Sequence, residues 1–210
     1  LDEAVQVLKQ NTSATPFGNY DLIYSGNVDR WIKFANTLRL RLALRVSAVD
    51  PALAQAQAEA AVQSGPLLDI ADDAFLSHSG KNLDYNPLSL IPSWNEFRMS
   101  STIKSFMAGY HDPRMAVYFQ PAIGTGTFEG LRNGLSAAEQ TLTPNLPSNT
   151  SNIGTRWATY KTRIWSGDFT EKQDVLHAAE TYCLMAEGAL NNWNMGGTAR
   201  QFYEKGIETS

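Results

Sequence analysis

Two stretches place aromatic rings among amide and carboxylate side chains. NLDYNPLSLIPSWNEF (Asn82–Phe97) carries Asn82, Asp84, Tyr85, Asn86, Trp94 and Asn95; RWATYKTRIW (Arg156–Trp165) carries Trp157, Tyr160 and Trp165. A ring with an apolar face and a polar edge can cover the C–H face of a pyranose, while neighbouring amides and carboxylates take its hydroxyls. That is the chemistry of holding a sugar, not of breaking one. The competing use of such rings is to pin loops onto a scaffold. No helical or strand period runs through either stretch, so spacing does not choose between the two uses.

Covalent and metal chemistry find less support. His78, His111 and His177 are scattered, and His177 with Glu180 forms an i, i+3 pair of the kind that makes a surface contact on a helix. Asp72–Asp73 reads as a solvated turn. GTGTFEG (Gly124–Gly130) has the wrong spacing for a dinucleotide loop, and SGK (Ser79–Lys81) lacks the earlier glycine of a phosphate loop. There is no GxSxG elbow, and no motif nominates a Cys–His set or a carboxylate pair. The residues therefore read as a binding protein without cofactor or metal, not an enzyme. A net charge of −4 excludes the basic face that nucleic acid requires. No stretch approaches the roughly 20 consecutive apolar residues of a membrane span. The lone Cys183, inside a helical pattern, reads as a buried thiol and excludes a disulfide framework.

The elements that must position these residues are helical. Asn27–Val49 places Trp31, Phe34, Ala35, Leu38, Leu42 and Val46 along one side, with a polar stripe of Arg30, Lys33, Thr37, Arg41 and Arg45. Asn36 and Arg39 fall within the apolar arc, so both need partners. Asp50 and Pro51 suit the N-cap and first position of a second helix, whose Ala54, Ala58 and Ala61 form a small-residue face. The pair makes a helical hairpin over residues 27–65. A second hairpin is expected over 174–210. Its first helix, Asp174–Asn192, turns Val175, Ala179, Tyr182, Cys183, Ala186 and Leu190 to one face. Its second helix opens on a Thr198–Gln201 capping box and turns Phe202, Tyr203 and Ile207 inward. An opening helix, LDEAVQVLKQ, turns Val5 and Leu8 inward, and a start in mid-helix suggests a chain cut from a longer one.

Residues 67–168 between the hairpins are rich in Pro, Gly, Ser and Asn, and form a loop-rich face. Helical period survives at Ser101–Gly109, with Ile103, Phe106 and Met107 inward. Met115, Val117 and Phe119 alternate as in a short strand, and Thr143–Thr155 reads as a long polar loop. The fold class is thus mainly α: tetratricopeptide-like hairpins carrying an irregular face with a few short strands.

YSGNVDRWIKFANTLRLRLALRVS resembles the signature helix of the SusD/RagB-like surface glycan-binding lipoproteins. The resemblance rests on Tyr24, Gly26, Asn27, Trp31, Lys33, Phe34, Ala35, Asn36, Leu38, Arg41 and Arg45. FMAGYHDPR and ETYCLMAEGALNNWNMGGTARQFYEKGI are similar to further elements of that family. The resemblance implies a tetratricopeptide-like scaffold in a single SusD-like domain, truncated here. It also implies an oligosaccharide ligand, a SusC-like TonB-dependent transporter as partner, and a place on the cell-surface side of the outer membrane through an N-terminal lipid anchor. The lipid-bearing cysteine is absent from this chain, which is shorter than family members and ends where they continue. A protein-binding helical scaffold, a peptide-binding surface lipoprotein and a glycan-active enzyme remain as alternatives.

Overall fold

The computed structural model describes residues 1–81, 84–161, 164–167 and 169–210, with backbone alone at 93, 158–161 and 164–167. In chain order the helices are α1 (Asp2–Lys9), α2 (Val28–Val46), α3 (Pro51–Gln63), α4 (Pro87–Ser93), α5 (Ser101–Gly109), α6 (Met115–Tyr118), α7 (Ala137–Gln140), α8 (Ala178–Leu190) and α9 (Ala199–Thr209). The strands are β1 (Ala74–Leu76), β2 (Ala158–Lys161), β3 (Ile164–Gly167) and β4 (Gln173–Leu176). The chain divides into two compact units, residues 1–76 with 174–210, and residues 77–173. Among the described residues, no helix is long and apolar enough to cross a membrane.

The first unit is built from α2–α3 and α8–α9, two helix pairs, with α1 against α2 and a β1–β4 ribbon. Its caps follow local sequence. Asn27 Oδ1 accepts from the Arg30 amide at 3.0 Å, Asp50 accepts from Leu53 at 3.0 Å, and Thr198 with Gln201 closes a capping box. Leu40, Ala43 and Leu44 of α2 meet the alanine face of α3, Ala54, Ala58 and Ala61, together with Met185, Trp193 and Met195. Small residues let the helix axes approach, so contact runs along the whole face. Both polar residues in the apolar arc have partners. Asn36 Nδ2 donates to the Ser64 and Gly65 carbonyls, and Arg39 donates to Gln57 and Asp2. Val5 is buried and Leu8 packs beside it.

Several faces differ from the sequence reading. Thr37, placed on the polar stripe, is fully buried; its hydroxyl sits between the Leu67 amide and the Thr181 hydroxyl. Leu42 and Val46, placed in the core, are exposed. The reason is that α8 packs on the Thr37–Arg41 side of α2, where Arg41 reaches Glu180 with two bonds of 2.6 Å. The stretch from 173 to 176 is strand, and α8 starts only after it. Val175, Cys183 and Leu190 are exposed, while Thr181, Met185 and Gly188 are inside. On α9, Tyr203 and Ile207 are exposed, and Gly206 makes the close approach to α8. Nor is Asp72–Asp73 a solvated turn: Asp73 is buried and accepts from His177 Nδ1 and the Ala178 amide, while Asp72 takes Lys33.

The second unit has little regular structure. β2 and β3 pair antiparallel, and short helical turns fill much of the rest. Of the α5 residues read as inward, only Met107 is buried; Ile103 and Phe106 are exposed. Met115–Tyr118 is one helical turn, not a strand, because the Val117 and Tyr118 amides bond back to the Arg114 carbonyl. The 143–155 segment is more ordered than a polar loop. Thr150, Ser151 and Asn152 are buried, and Asn152 Nδ2 reaches the Pro92 carbonyl.

Candidate functional site

Asn86 organises the first aromatic stretch. Its Oδ1 accepts from the Leu88 amide at 2.9 Å, capping α4, and Pro87 holds the first helical position without needing a donor. Its Nδ2 donates to the Glu171 and Lys172 carbonyls at 3.0 and 3.1 Å, and the side chain is fully buried. A buried amide with this many bonds holds the chain together; nothing of it is left for a ligand. The helix it caps is short. Trp94 forms its C-terminal cap with the indole 57% exposed, and Asn95 follows in a left-handed conformation (φ 62°) that asparagine tolerates. The ring thus stands in solvent at the end of a helix whose start is clamped.

Arg98 shares this turn. Its Nη2 donates to Asn95 Oδ1 at 2.8 Å and its Nη1 to the Phe97 carbonyl, both neutral acceptors. Burial pushes its guanidinium below the usual arginine range. These two bonds use two of the five N–H donors of the guanidinium.

The other predicted residues are placed differently. Asp84 folds its own loop: it accepts from the Ser79 amide at 2.7 Å and contacts His78 Nδ1 at 2.8 Å. The Ser79 amide and then His78 hold its carboxyl down at about 2. Tyr85 is half-buried against Phe169, ring centroids 4.7 Å apart. Trp157 is 7% exposed, with the Arg156 guanidinium 5.0 Å from its ring and its indole N–H enclosed without a partner. So Trp157 pins a loop, and Tyr85 in part does the same. Asn82 lies outside the described residues, as do the Tyr160 and Trp165 side chains; the backbones of those two face each other across β2–β3. Of the candidates whose side chains are described, Trp94 is the ring left open, and Asp84 keeps a partly exposed carboxylate.

The first unit contains a separate concavity of about 490 Å³. Leu8, Phe17, Tyr20, Trp31, Phe34 and Leu38 are among its lining residues, and Phe17 and Tyr20 are 82% and 90% exposed. One carboxylate shapes its rim. Asp21 accepts from the Ile23, Tyr24 and Gly26 amides and from the Trp31 indole at 2.7 Å. Burial works against its charge, yet these four bonds hold its pKa below the usual carboxylate value. Gly26 completes the turn with φ 80°; a Cβ there would stand 2.9 Å from the Pro16 carbonyl oxygen. The Tyr-x-Gly-Asn pattern before α2 thus has a physical basis. Tyr24 bonds the Asp72 carbonyl, Gly26 makes the turn and Asn27 caps the helix.

The sequence profile of the SusD-like family, described as "Susd and RagB outer membrane lipoprotein", matches residues 1–210. The chain belongs to the SusD/RagB family. Solved SusD structures are similar along the whole chain. A chitin-binding SusD homologue from Flavobacterium johnsoniae is 36% identical with a TM-score of 0.83. A SusD-like protein from Bacteroides thetaiotaomicron is 35% identical (0.82), and a SusD homologue from Bacteroides uniformis 33% (0.81). Each match covers 99% of this chain and 41% of the solved one, so the chain spans about two-fifths of their length. No curated protein matches it.

This SusD-like chain has the helix-rich fold expected of the family, with helix pairs in the first unit. What the sequence reading passed over is Arg98. The signal was present: a cation four residues after a tryptophan, with an asparagine between. It lay one residue beyond the stretch singled out for its aromatics and amides, and its lack of a carboxylate partner among the described residues shows only in three dimensions.

Proposed function

We propose that the chain is part of a cell-surface lipoprotein that binds oligosaccharide and passes it, chemically unchanged, to a SusC-like TonB-dependent transporter in the outer membrane. Membership of the SusD/RagB family supports this reading, as does a chitin-binding homologue at 36% identity. The single observation that carries the binding role is Trp94: a large aromatic residue left 57% exposed on a turn anchored by buried Asn86, with the Asn95–Arg98 pair next along the chain. Asp84 and the half-buried edge of Tyr85 belong to the same stretch and complete the proposed ligand set; Asn82, Tyr160 and Trp165 remain candidates. Trp94→Ala is expected to lower affinity for a bound oligosaccharide at least tenfold on a glycan array and in calorimetry, without releasing shorter sugars in either form. Unchanged affinity in the variant would remove Trp94 from the site, and product release by the wild-type chain would make it an enzyme.

The groove beside α1 and α2 favours a second reading, a helical scaffold that docks an apolar segment of a protein partner. A blank glycan array together with transporter capture that is lost in Phe17→Ala/Tyr20→Ala would select it.

A further inference from the structure

Arg98 stands apart from the other arginines. Every other arginine whose side chain is described either has a carboxylate within 4.0 Å or, like Arg45, is exposed. Arg98 is half-buried, and among the described residues no carboxylate pairs with it; even Glu96, two residues away, makes no ion pair with it. Partial burial of an unpaired cation is unfavourable, and proteins ordinarily resolve it by pairing. Here two neutral acceptors, the Asn95 amide oxygen and the Phe97 carbonyl, hold the guanidinium and take two of its five N–H donors. A guanidinium oriented in advance with spare donors matches an oxyanion, which can take two parallel N–H bonds. Asn95, which orients it, is the residue after the exposed Trp94.

We infer that the Trp94–Asn95–Arg98 turn is a subsite for an acidic sugar: the indole takes the ring face, and Arg98 takes the carboxylate of a uronic acid or a sulfate ester. This deepens the glycan-binding reading and rests on it. Only the charged group distinguishes the ligand, so the test compares sugars with and without it.

The 210-residue chain is titrated against paired oligosaccharides: oligogalacturonate, oligomannuronate and hyaluronan fragments with their methyl esters, and sulfated glycans with their desulfated forms. At least one acidic member is expected to bind about tenfold more tightly than its neutral twin, with the preference shrinking as salt is raised. Which pair shows it separates carboxylate from sulfate. Arg98→Gln should abolish the preference and Arg98→Lys retain part of it, with melting temperatures recorded for both so that unfolding is not mistaken for lost binding. Trp94→Ala should weaken both members of the pair. Neutral sugars bound as well as acidic ones would overturn the acidic assignment and leave glycan binding standing. A preference that survives in Arg98→Gln would overturn the role of Arg98. No oligosaccharide bound at all would overturn both readings together.

Discussion

The two units use the same residue types to different ends. In the helical unit, Tyr24, Trp31 and Phe34 meet edge to face at 5.2–6.4 Å, and Asp21, Asn36 and Arg39 are committed to backbone and side-chain partners nearby. In the loop-rich unit, Asn86 is bonded and Trp157 buried in the same way, but Trp94 stays exposed, and Arg98 has only neutral acceptors among the described residues. Rings beside amides are therefore not a binding site in themselves. What marks one is a ring still exposed, and donors still uncommitted, after the fold has taken what it needs.

The contrast can be broken at either end. Leu40→Ala empties a fully buried position between α2 and α3 and should cost about 2–5 kcal/mol in denaturant unfolding. A loss under about 1 kcal/mol would mean that the helical unit is not the tightly packed one. Gly26→Ala forces a side chain into a left-handed turn against the Pro16 carbonyl and should cost about 1–3 kcal/mol. A neutral result would show that the turn before α2 gives way. The Asp84 loop should respond to acid. Its folded pKa of about 2 lies below the ordinary value near 4, so its contribution is complete above about pH 4 and fades as pH falls through 2. Amide exchange at Ser79, followed between pH 5 and 2, should accelerate only toward the acid end; acceleration already complete at pH 4 would mean the loop is not held by Asp84. The smallest stability effect is expected at Trp94→Ala, within about 0.5 kcal/mol because the ring is exposed, although it should cost the most binding. A clear drop in melting temperature would reclassify that ring as one more pin.

Much of the scaffold was legible because it is local. Asn27, Asp50 and the Thr198–Gln201 pair cap their helices through bonds spanning three residues, and the Ala54, Ala58 and Ala61 face follows from helical spacing alone. The Tyr-x-Gly-Asn pattern was legible as a family resemblance before Asp21 explained it.

The rest required the fold. Thr37 is inside and Leu42 outside because α8 packs against one side of α2, and no period within α2 says where α8 will lie. Asn86 and Trp94 stood in one stretch with the same apparent role, yet the returning carbonyls of Glu171 and Lys172 claimed the first and nothing claimed the second. Arg98 follows Trp94 by four residues, but that spacing does not say that, among the described residues, no acid pairs with it. By itself the sequence determined the caps at Asn27, Asp50 and Thr198 and the small-residue face of α3, since those depend on neighbours along the chain. Tertiary structure decided which polar and aromatic groups were used up, because burial and pairing depend on segments that meet from a hundred residues away.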